Sequence, residues 1–448
     1  MRGDNLKAAI AVALLAASAS AINLDVNDEK SIKNAASVVA KNVMSDYNDR
    51  DSNNIPGDIN GLWAEGGVLF DTMIKYWYYT GDSSYNNEVS DGMYWQRGDD
   101  NYFPANYSQY MANDDQMIWG LAAMTAAELD FPERSSMPSW ITLAQGVFDA
   151  QVLRWDDDNC GGGMRWQIWP YQAGYNMKNA LVNGGLFELS ARLARYTNNE
   201  TYSDWAEKIW DWSATTPLLD TTTWNIADDT SCEQNCTDQG NSQWSFNYGV
   251  YMTGAAYMHN VTDGKSKWKS GLDGLLNSTS QFFPHDKVLE EITCESIEEC
   301  DRSQILMKGT FPQDLVLISL AAPYTYSDIL PLLQASATAA AKTCTAGKTD
   351  NRCGTRWYTE NDGTDGTEQQ IAALGLFTSN LVAFNSKAPA TGAATSNATA
   401  NTTTSGNITS TSSSAAGATS TGTNAANVLA CSSVGLTATL LAGLLALF

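Results

Sequence analysis

The stretch Tyr79-Thr80-Gly81-Asp82-Ser83-Ser84-Tyr85 is matched by Tyr196-Thr197-Asn198-Asn199-Glu200-Thr201-Tyr202. A looser copy is Asn260-Val261-Thr262-Asp263-Gly264-Lys265-Ser266-Lys267-Trp268. In each, a Gly or Asn ends one helix, a small polar residue caps the next, and an aromatic sits just inside it. A recurring helix-turn-helix unit means an array of αα-hairpins.

Working outward from these turns, apolar spacing is helical almost throughout and strand-like alternation is scarce. Twelve helices are predicted, over 29–47, 66–80, 84–96, 113–129, 138–152, 176–196, 201–213, 247–259, 265–282, 303–322, 326–342 and 366–385. An open solenoid and a closed ring both fit such an array. Solenoid repeats would be more regular in length, so closure is favoured: an all-α (α/α)6 barrel of about six helical hairpins.

The loops between these helices carry the candidate chemistry. Asp114-Asp115 lies in Tyr110-Met111-Ala112-Asn113-Asp114-Asp115-Gln116-Met117-Ile118-Trp119-Gly120. Neighbours on a helix point about 100° apart, and flexible carboxyl heads can still meet at roughly 5 Å, the separation of a retaining glycosidase pair. The plainer reading is a helix start, with Asn113 as N-cap and acids favoured by the macrodipole. Asp99-Asp100, Asp156 to Asp158 and Asp228-Asp229 are acidic runs of that plain kind.

A second distinctive stretch is Arg154-Trp155-Asp156-Asp157-Asp158-Asn159-Cys160-Gly161-Gly162-Gly163-Met164-Arg165-Trp166-Gln167. Its glycines allow close backbone approach to a ligand, and Trp155 and Trp166 offer flat faces to a sugar. The three aspartates lack the spaced ligands of a calcium loop, and Gln167 stands where the closing Glu would be. No GK[ST] follows to hold a phosphate. Trp63 and Trp119, at or beside helical spacing, read as core.

The ends of the chain read as processing segments. Arg2 and Lys7, the apolar run Ala8 to Ala17 and Ala19-Ser20-Ala21 form a secretory signal over 1–21. The body is 22–387. From 388 to 424 the chain is nearly all Ala, Ser, Thr, Gly and Asn, a disordered, glycosylated stalk. Asn424-Ala425-Ala426, a nine-residue spacer and the charge-free tail Leu436 to Phe448 have the layout of a glycosylphosphatidylinositol (GPI) anchor signal. Asn424 is the expected attachment residue, with Gly422 or Ala418 as alternatives, and 425–448 would be removed. Sequons stand at Asn106, Asn199, Asn235, Asn260 and Asn277 in the body and at Asn397, Asn401 and Asn407 in the stalk.

Eight cysteines suit an oxidising compartment. Cys431 leaves with the tail, and close spacing suggests Cys232/Cys236, Cys294/Cys300 and Cys344/Cys353. Cys160 is then left over, free and buried or re-sorted with another. With no CxxC pair and only His259 and His285, a zinc site or histidine triad has little to be built from. No metal or cofactor is expected. A formal net charge of -24 argues against nucleic acid. Fifteen tryptophans and 19 tyrosines suit stacking on sugars, although most serve a core.

Taken together, Asp114-Asp115, Cys160 to Gln167 and Tyr175-Asn176-Met177-Lys178-Asn179-Ala180-Leu181-Val182-Asn183-Gly184-Gly185 make the chain resemble glycoside hydrolase family 76. More narrowly, it resembles the fungal GPI-anchored members called defective in filamentous growth and defective cell wall proteins. The likeness spans nearly all of 24–386.

The resemblance implies an (α/α)6 barrel that acts on α-1,6-mannosidic linkages with retention. It also implies action on the GPI core glycan in cell-wall assembly, joining GPI proteins to a β-glucan acceptor at the outer face of the plasma membrane. By position, Asp114 matches the nucleophile and Asp115 the acid/base. Asn176, Lys178 and Asn179, at the start of a predicted helix, are candidate sugar contacts, with Trp166, Asn247, Tyr248 and Lys308. Two other classes fit the stalk or the barrel: a non-catalytic surface mannan-binding protein or adhesin, and an inverting hydrolase with more distant carboxylates.

Overall fold

The computed structural model describes residues 21–50, 55–59, 62–345 and 351–392. The expected signal core, the stalk from 393 onward and the anchor signal with Asn424 lie outside them. The first residues assigned to the stalk, 388–392, are described, and the carbonyls of Pro389 and Ala390 accept from Arg195. The chain divides into two units, Met1–Thr399 and Ala400–Phe448, and every described residue belongs to the first.

Among the described residues are thirteen α-helices: α1 (Glu29–Asn48), α2 (Trp63–Thr80), α3 (Asn86–Trp95), α4 (Asn113–Glu128), α5 (Trp140–Val152), α6 (Ala180–Thr197), α7 (Glu200–Ser213), α8 (Ser245–Val261), α9 (Ser266–Ser278), α10 (Arg302–Lys308), α11 (Thr310–Ala321), α12 (Tyr326–Thr343) and α13 (Thr367–Ser379). Each of the twelve expected helices has its counterpart. The expected 303–322 helix is divided at Gly309 into α10 and α11. Pro312 has no amide to give the carbonyl of Lys308, so the ladder breaks there.

The helices alternate between two rings. α2, α4, α6, α8, α11 and α13 each pack on the next, and α13 packs back on α2. That closure answers the choice between solenoid and ring. Outside them, α3 lies on α2, α5 on α4, α7 on α6 and α9 on α8. α12 covers α11 and α13, and α1 covers α13.

Burial follows the rings. The inner helix α8 buries every residue from Ser245 to Met258, and α11 every residue from Phe311 to Ala321. Outer helices bury one stripe, such as Trp268, Gly271, Leu272 and Leu275 on α9. That i, i+3, i+4, i+7 spacing is the mark of a helix wet on one side.

The repeated turns are the inner-to-outer corners. Gly81 (φ 81°) and Asn198 (φ 52°) end α2 and α6 in the left-handed conformation, where Gly and Asn meet the least steric resistance. Asn199 Oδ1 then caps α7 by accepting from Thr201 N at 3.0 Å. In the third copy Trp268, one turn into α9, is wholly buried.

Two expectations are corrected. Residues 177–179 are a strand, β1 (Met177–Asn179), paired antiparallel with β2 (Asp229–Ser231). The helix expected from 176 therefore starts at Ala180, with Asn179 as its N-cap accepting from Val182 N at 3.2 Å. The disulfides are Cys160–Cys236, Cys294–Cys300 and Cys344–Cys353, so Cys232 and Cys236 are not joined. Cys160 is the re-sorted partner, and Cys232 is the free, half-buried thiol among the described residues. A bond across 76 residues is invisible to spacing, whereas the two short loops are not.

Candidate active site

The site is built at the start of α4. Ala112 is extended and bridges Gln167, and Asn113 opens the helix. Asn113 is buried and tied on every side. Its amide donates to the Trp166 carbonyl at 2.9 Å, and its Nδ2 to the Arg165 carbonyl at 2.8 Å. Its Oδ1 accepts from Arg154 Nε at 2.7 Å, and its carbonyl from Gln151 Nε2 at 2.7 Å. Asn113 thus clamps the 154–167 loop to the helix rather than capping it. The cap is Asp115, whose Oδ2 accepts from Ala112 N at 2.8 Å.

Asp114 and Asp115 occupy the first turn, half-buried. Asp114 Oδ1 accepts from Asp115 N at 3.0 Å, and Oδ2 accepts from the Trp166 indole at 2.8 Å. Both carboxyls are pushed up, Asp114 to about 7 and Asp115 to about 6. Burial is the main cause for each, and the neighbouring charge of Asp115 adds to it at Asp114. The indole and amide donors pull Asp114 the other way, because they hydrogen-bond the anion. Among the described residues no Lys, Arg or His forms an ion pair with either carboxyl. Two carboxyls in these conditions share one proton over part of the pH scale.

The pair opens into a cleft of about 310 Å³, lined among others by Trp63, Glu65, Tyr107, Tyr110, Ile118, Leu181, Ser303 and Leu306. Trp63 stacks on Trp119 at 5.2 Å, and Trp119 is wholly buried. So Trp119 is core, and Trp63 is core with one edge on the cleft. Glu65, across the cleft on α2, is 1% exposed and meets Arg302 Nη2 at 2.7 Å. Burial, then the charge of Glu368, raises Glu65 to about 8.

Trp166 is the one further expected site residue whose side chain the structure brings to the aspartates. The others are engaged by the protein itself. Asn176 is exposed and bonds Glu233 and Arg165. Lys178 is fully buried, donating to the carbonyls of Asp156, Asn159 and Gly162 and paired with Asp156. Asn179 is a cap. Asn247 donates to Asp228 Oδ1 at 3.0 Å, fully buried. Tyr248, also fully buried, donates to Gln243 Oε1 and accepts from Ile226 N. Lys308 is 1% exposed, paired with Glu295 at 2.6 Å, and lies over Trp357. None of the six lines the cleft.

The glycines of the loop also have structural work. A Cβ on Gly163 would lie 2.2 Å from the Trp212 ring, and the residue has φ 96°. Gly162 and Gly163 let the backbone lie against Trp155 and Trp212, the structural bend that is the plainer reading of these glycines, while a Cβ on Gly161 would meet nothing within 4 Å. Trp155 packs edge-on against Trp205 and Trp212. Asp156 pairs with Arg165 at 2.9 Å, so this acidic run braces the loop.

Asn113, Arg154 and Glu65 were not expected. Asn113 carried a signal, directly before the pair, but it read as a cap. Arg154 stood in a quoted stretch with nothing to show its partner. Glu65 had no local signal.

With the geometry in place, comparison with known proteins gives a consistent result. The model of Glycosyl hydrolase family 76 matches residues 31–393. The chain is 39% identical over 379 residues to mannan endo-1,6-alpha-mannosidase DCW1 of Saccharomyces cerevisiae, covering 83% of each chain. It is similar to the crystal structure of Dfg5 from Chaetomium thermophilum in complex with glucosamine, with TM-score 0.79 and 38% identity. That match covers 82% of this chain and 94% of the other. The GH76A alpha-1,6-mannanase of Salegentibacter sp. HEL1_6 shares the fold, with TM-score 0.62 at 18% identity over 78% of this chain and 98% of that one. The chain belongs to glycosyl hydrolase family 76 and is a glycoside hydrolase.

Proposed function

We propose that this member of glycosyl hydrolase family 76 cleaves α-1,6-mannosidic bonds of mannan-type glycans with retention. The observation that carries the reading is the adjacent pair Asp114 and Asp115 in one cleft, with no Lys or Arg among the described residues that line it. The substrate class rests on the DCW1 relative, whose name states mannan and the 1,6-linkage.

Asp114 Oδ attacks the anomeric carbon while Asp115 gives its proton to the leaving oxygen. The glycosidic bond breaks, and a covalent mannosyl ester forms on Asp114. Water or a sugar hydroxyl then gives its proton to Asp115 and takes the mannosyl group, freeing Asp114. The order within the pair is taken from position. Donors reach both carboxyls, two N–H groups at Asp114 and Ala112 N at Asp115, and burial with the charge of Asp115 raises Asp114 the further, so the site of the covalent adduct decides the order.

The natural donor in this reading is the mannose core of a GPI glycan, and the acceptor is wall β-glucan. The glucosamine complex of the Chaetomium relative supports a ligand that includes an amino sugar. Secretion, a stalk and a GPI anchor at Asn424 would hold the enzyme on the outer leaflet. There a shared surface raises the effective concentration of donor.

The test is a slow fluorinated α-mannoside. Mass spectrometry should find one mannosyl adduct, on the peptide carrying Asp114, and NMR should find the α-anomer as first product. A β-anomer as first product would overturn retention.

A further inference from the structure

Beside the cleft the surface carries aromatic rings that folding does not explain. Tyr110, which lines the cleft, is 72% exposed, and Tyr171 is 69% exposed. Tyr171 lies parallel to half-buried Trp169, with 5° between planes and centroids 6.2 Å apart. Scattered exposed aromatics need no account. Here the Trp169 and Tyr171 rings are paired and held by their own polar atoms, and the backbone of Tyr110 is tied to the same segment.

The Trp169 indole donates to the Ser108 carbonyl at 2.7 Å, and the Tyr171 hydroxyl to the Gln109 carbonyl at 2.9 Å. Gln172 Nε2 donates to the Tyr110 carbonyl at 3.0 Å. Three bonds therefore pin residues 169–172 to residues 108–110, some 60 positions away. A ring fixed in water has given up its rotamer freedom before any ligand arrives, which is how a binding surface is pre-organised.

We propose that Tyr110, Trp169 and Tyr171 form a platform for the outer sugars of the mannan-type glycan whose reacting bond lies at Asp114 and Asp115. This rests on the function proposed above and extends it to substrate length. Aromatic faces receive the C–H faces of pyranose rings, and no charged side chain belongs to the trio. The occupant is the same chain that fills the cleft, because Tyr110 belongs to both surfaces. A rival occupant is the enzyme's own glycan, since exposed Asn106 in Asn106-Tyr107-Ser108 is a sequon beside the rim.

The experiment uses the full-length enzyme with α-1,6-mannobiose and α-1,6-mannohexaose as probes. Tyr171→Ala should raise KM for the hexaose about tenfold with kcat nearly unchanged, the worth of roughly one stacked ring. The biose should be unaffected. Tyr171→Phe keeps the ring and should stay close to wild type. Equal effects on both lengths would sink the platform alone. So would an effect that disappears in an Asn106→Gln background, or one confined to binding of a β-1,3-glucan. A wild-type enzyme inert to both mannosides would sink the functional reading, and this one with it.

Discussion

The cleft and the barrel axis both hold buried carboxyl groups, and they treat them differently. Along the axis, Asp71, Lys75, Glu188, Arg192 and Asp314 line a cavity of about 40 Å³. Burial raises Glu188 to about 7 and lifts Asp314 well above the ordinary carboxylate range. Arg192 works against that rise. It meets Glu188 at 2.9 Å and Glu128 at 2.8 Å, and donates to Thr125 Oγ1. At the cleft, Asp114 and Asp115 are raised too, but the groups that favour their anions are an indole and backbone amides. A raised carboxyl alone therefore does not mark a reacting one. What separates the cleft is a pair of acids with an open face and no ion-pair partner among the described residues. An ion pair on the axis holds the wall together, and the cleft keeps a charge available for a substrate to neutralise.

Substitutions should break the comparison along that line. The largest effect is expected at the cleft. Asp114→Asn and Asp115→Asn should each lower kcat/KM by at least about a thousandfold, with the circular dichroism spectrum kept and no loss in unfolding midpoint. Next comes Arg192→Met, which strands Glu128 and Glu188. It should destabilise by about 3–5 kcal/mol in urea unfolding, with little change in kcat for the enzyme that remains folded. Smaller again is Trp166→Phe, which removes one donor from Asp114. It should lower kcat by about ten- to a hundredfold, below the loss of a full oxyanion donor, with the alkaline limb of the pH profile intact.

The smallest effect is one of pH. The one-proton form of the pair is populated between about 6 and about 7, so kcat/KM should be bell-shaped with its maximum there. For stability the sign runs the other way. Folded-state values raised above the unfolded ones mean the folded protein binds more protons, so stability present at low pH is lost as pH rises through them. The Asp114→Asn, Asp115→Asn double variant should match wild type near pH 4 and exceed it near pH 8. Urea midpoints at the two pH values would show it. A constant difference would mean that the pair is not held raised.

The fold was legible because its signals are local. Gly81, Asn198 and Asn199 mark corners through backbone conformation and capping, which a short window contains. The count of helices then favoured a ring. The Asp pair, proposed here as the reacting groups, stood out through the company of the Cys160 to Gln167 and Tyr175 to Gly185 stretches.

The rest depends on distance in sequence. Lys178 and Lys308 look like exposed cations until the fold surrounds them with carbonyls and carboxylates. Glu65 meets Arg302 across 237 positions, and no window joins them. Asn176, Lys178 and Asn179 were placed on a helix because the apolar period begins nearby. A partner strand at 229–231 claimed 177–179 instead, a tertiary pairing that overrides local preference.

The closure of the inner ring has a consequence for how the protein is made. α13 seals against α2 and carries α1 on its outer side, so the first helices wait for the last. Synthesis from residue 63 to residue 379 takes on the order of tens of seconds. Through that interval the nascent hairpins present greasy inner flanks with nothing yet to cover them. Contacts this far apart in sequence are also slow to form. The polypeptide should therefore lean on chaperones during translation, and a message truncated before α13 should yield aggregate rather than a smaller working enzyme.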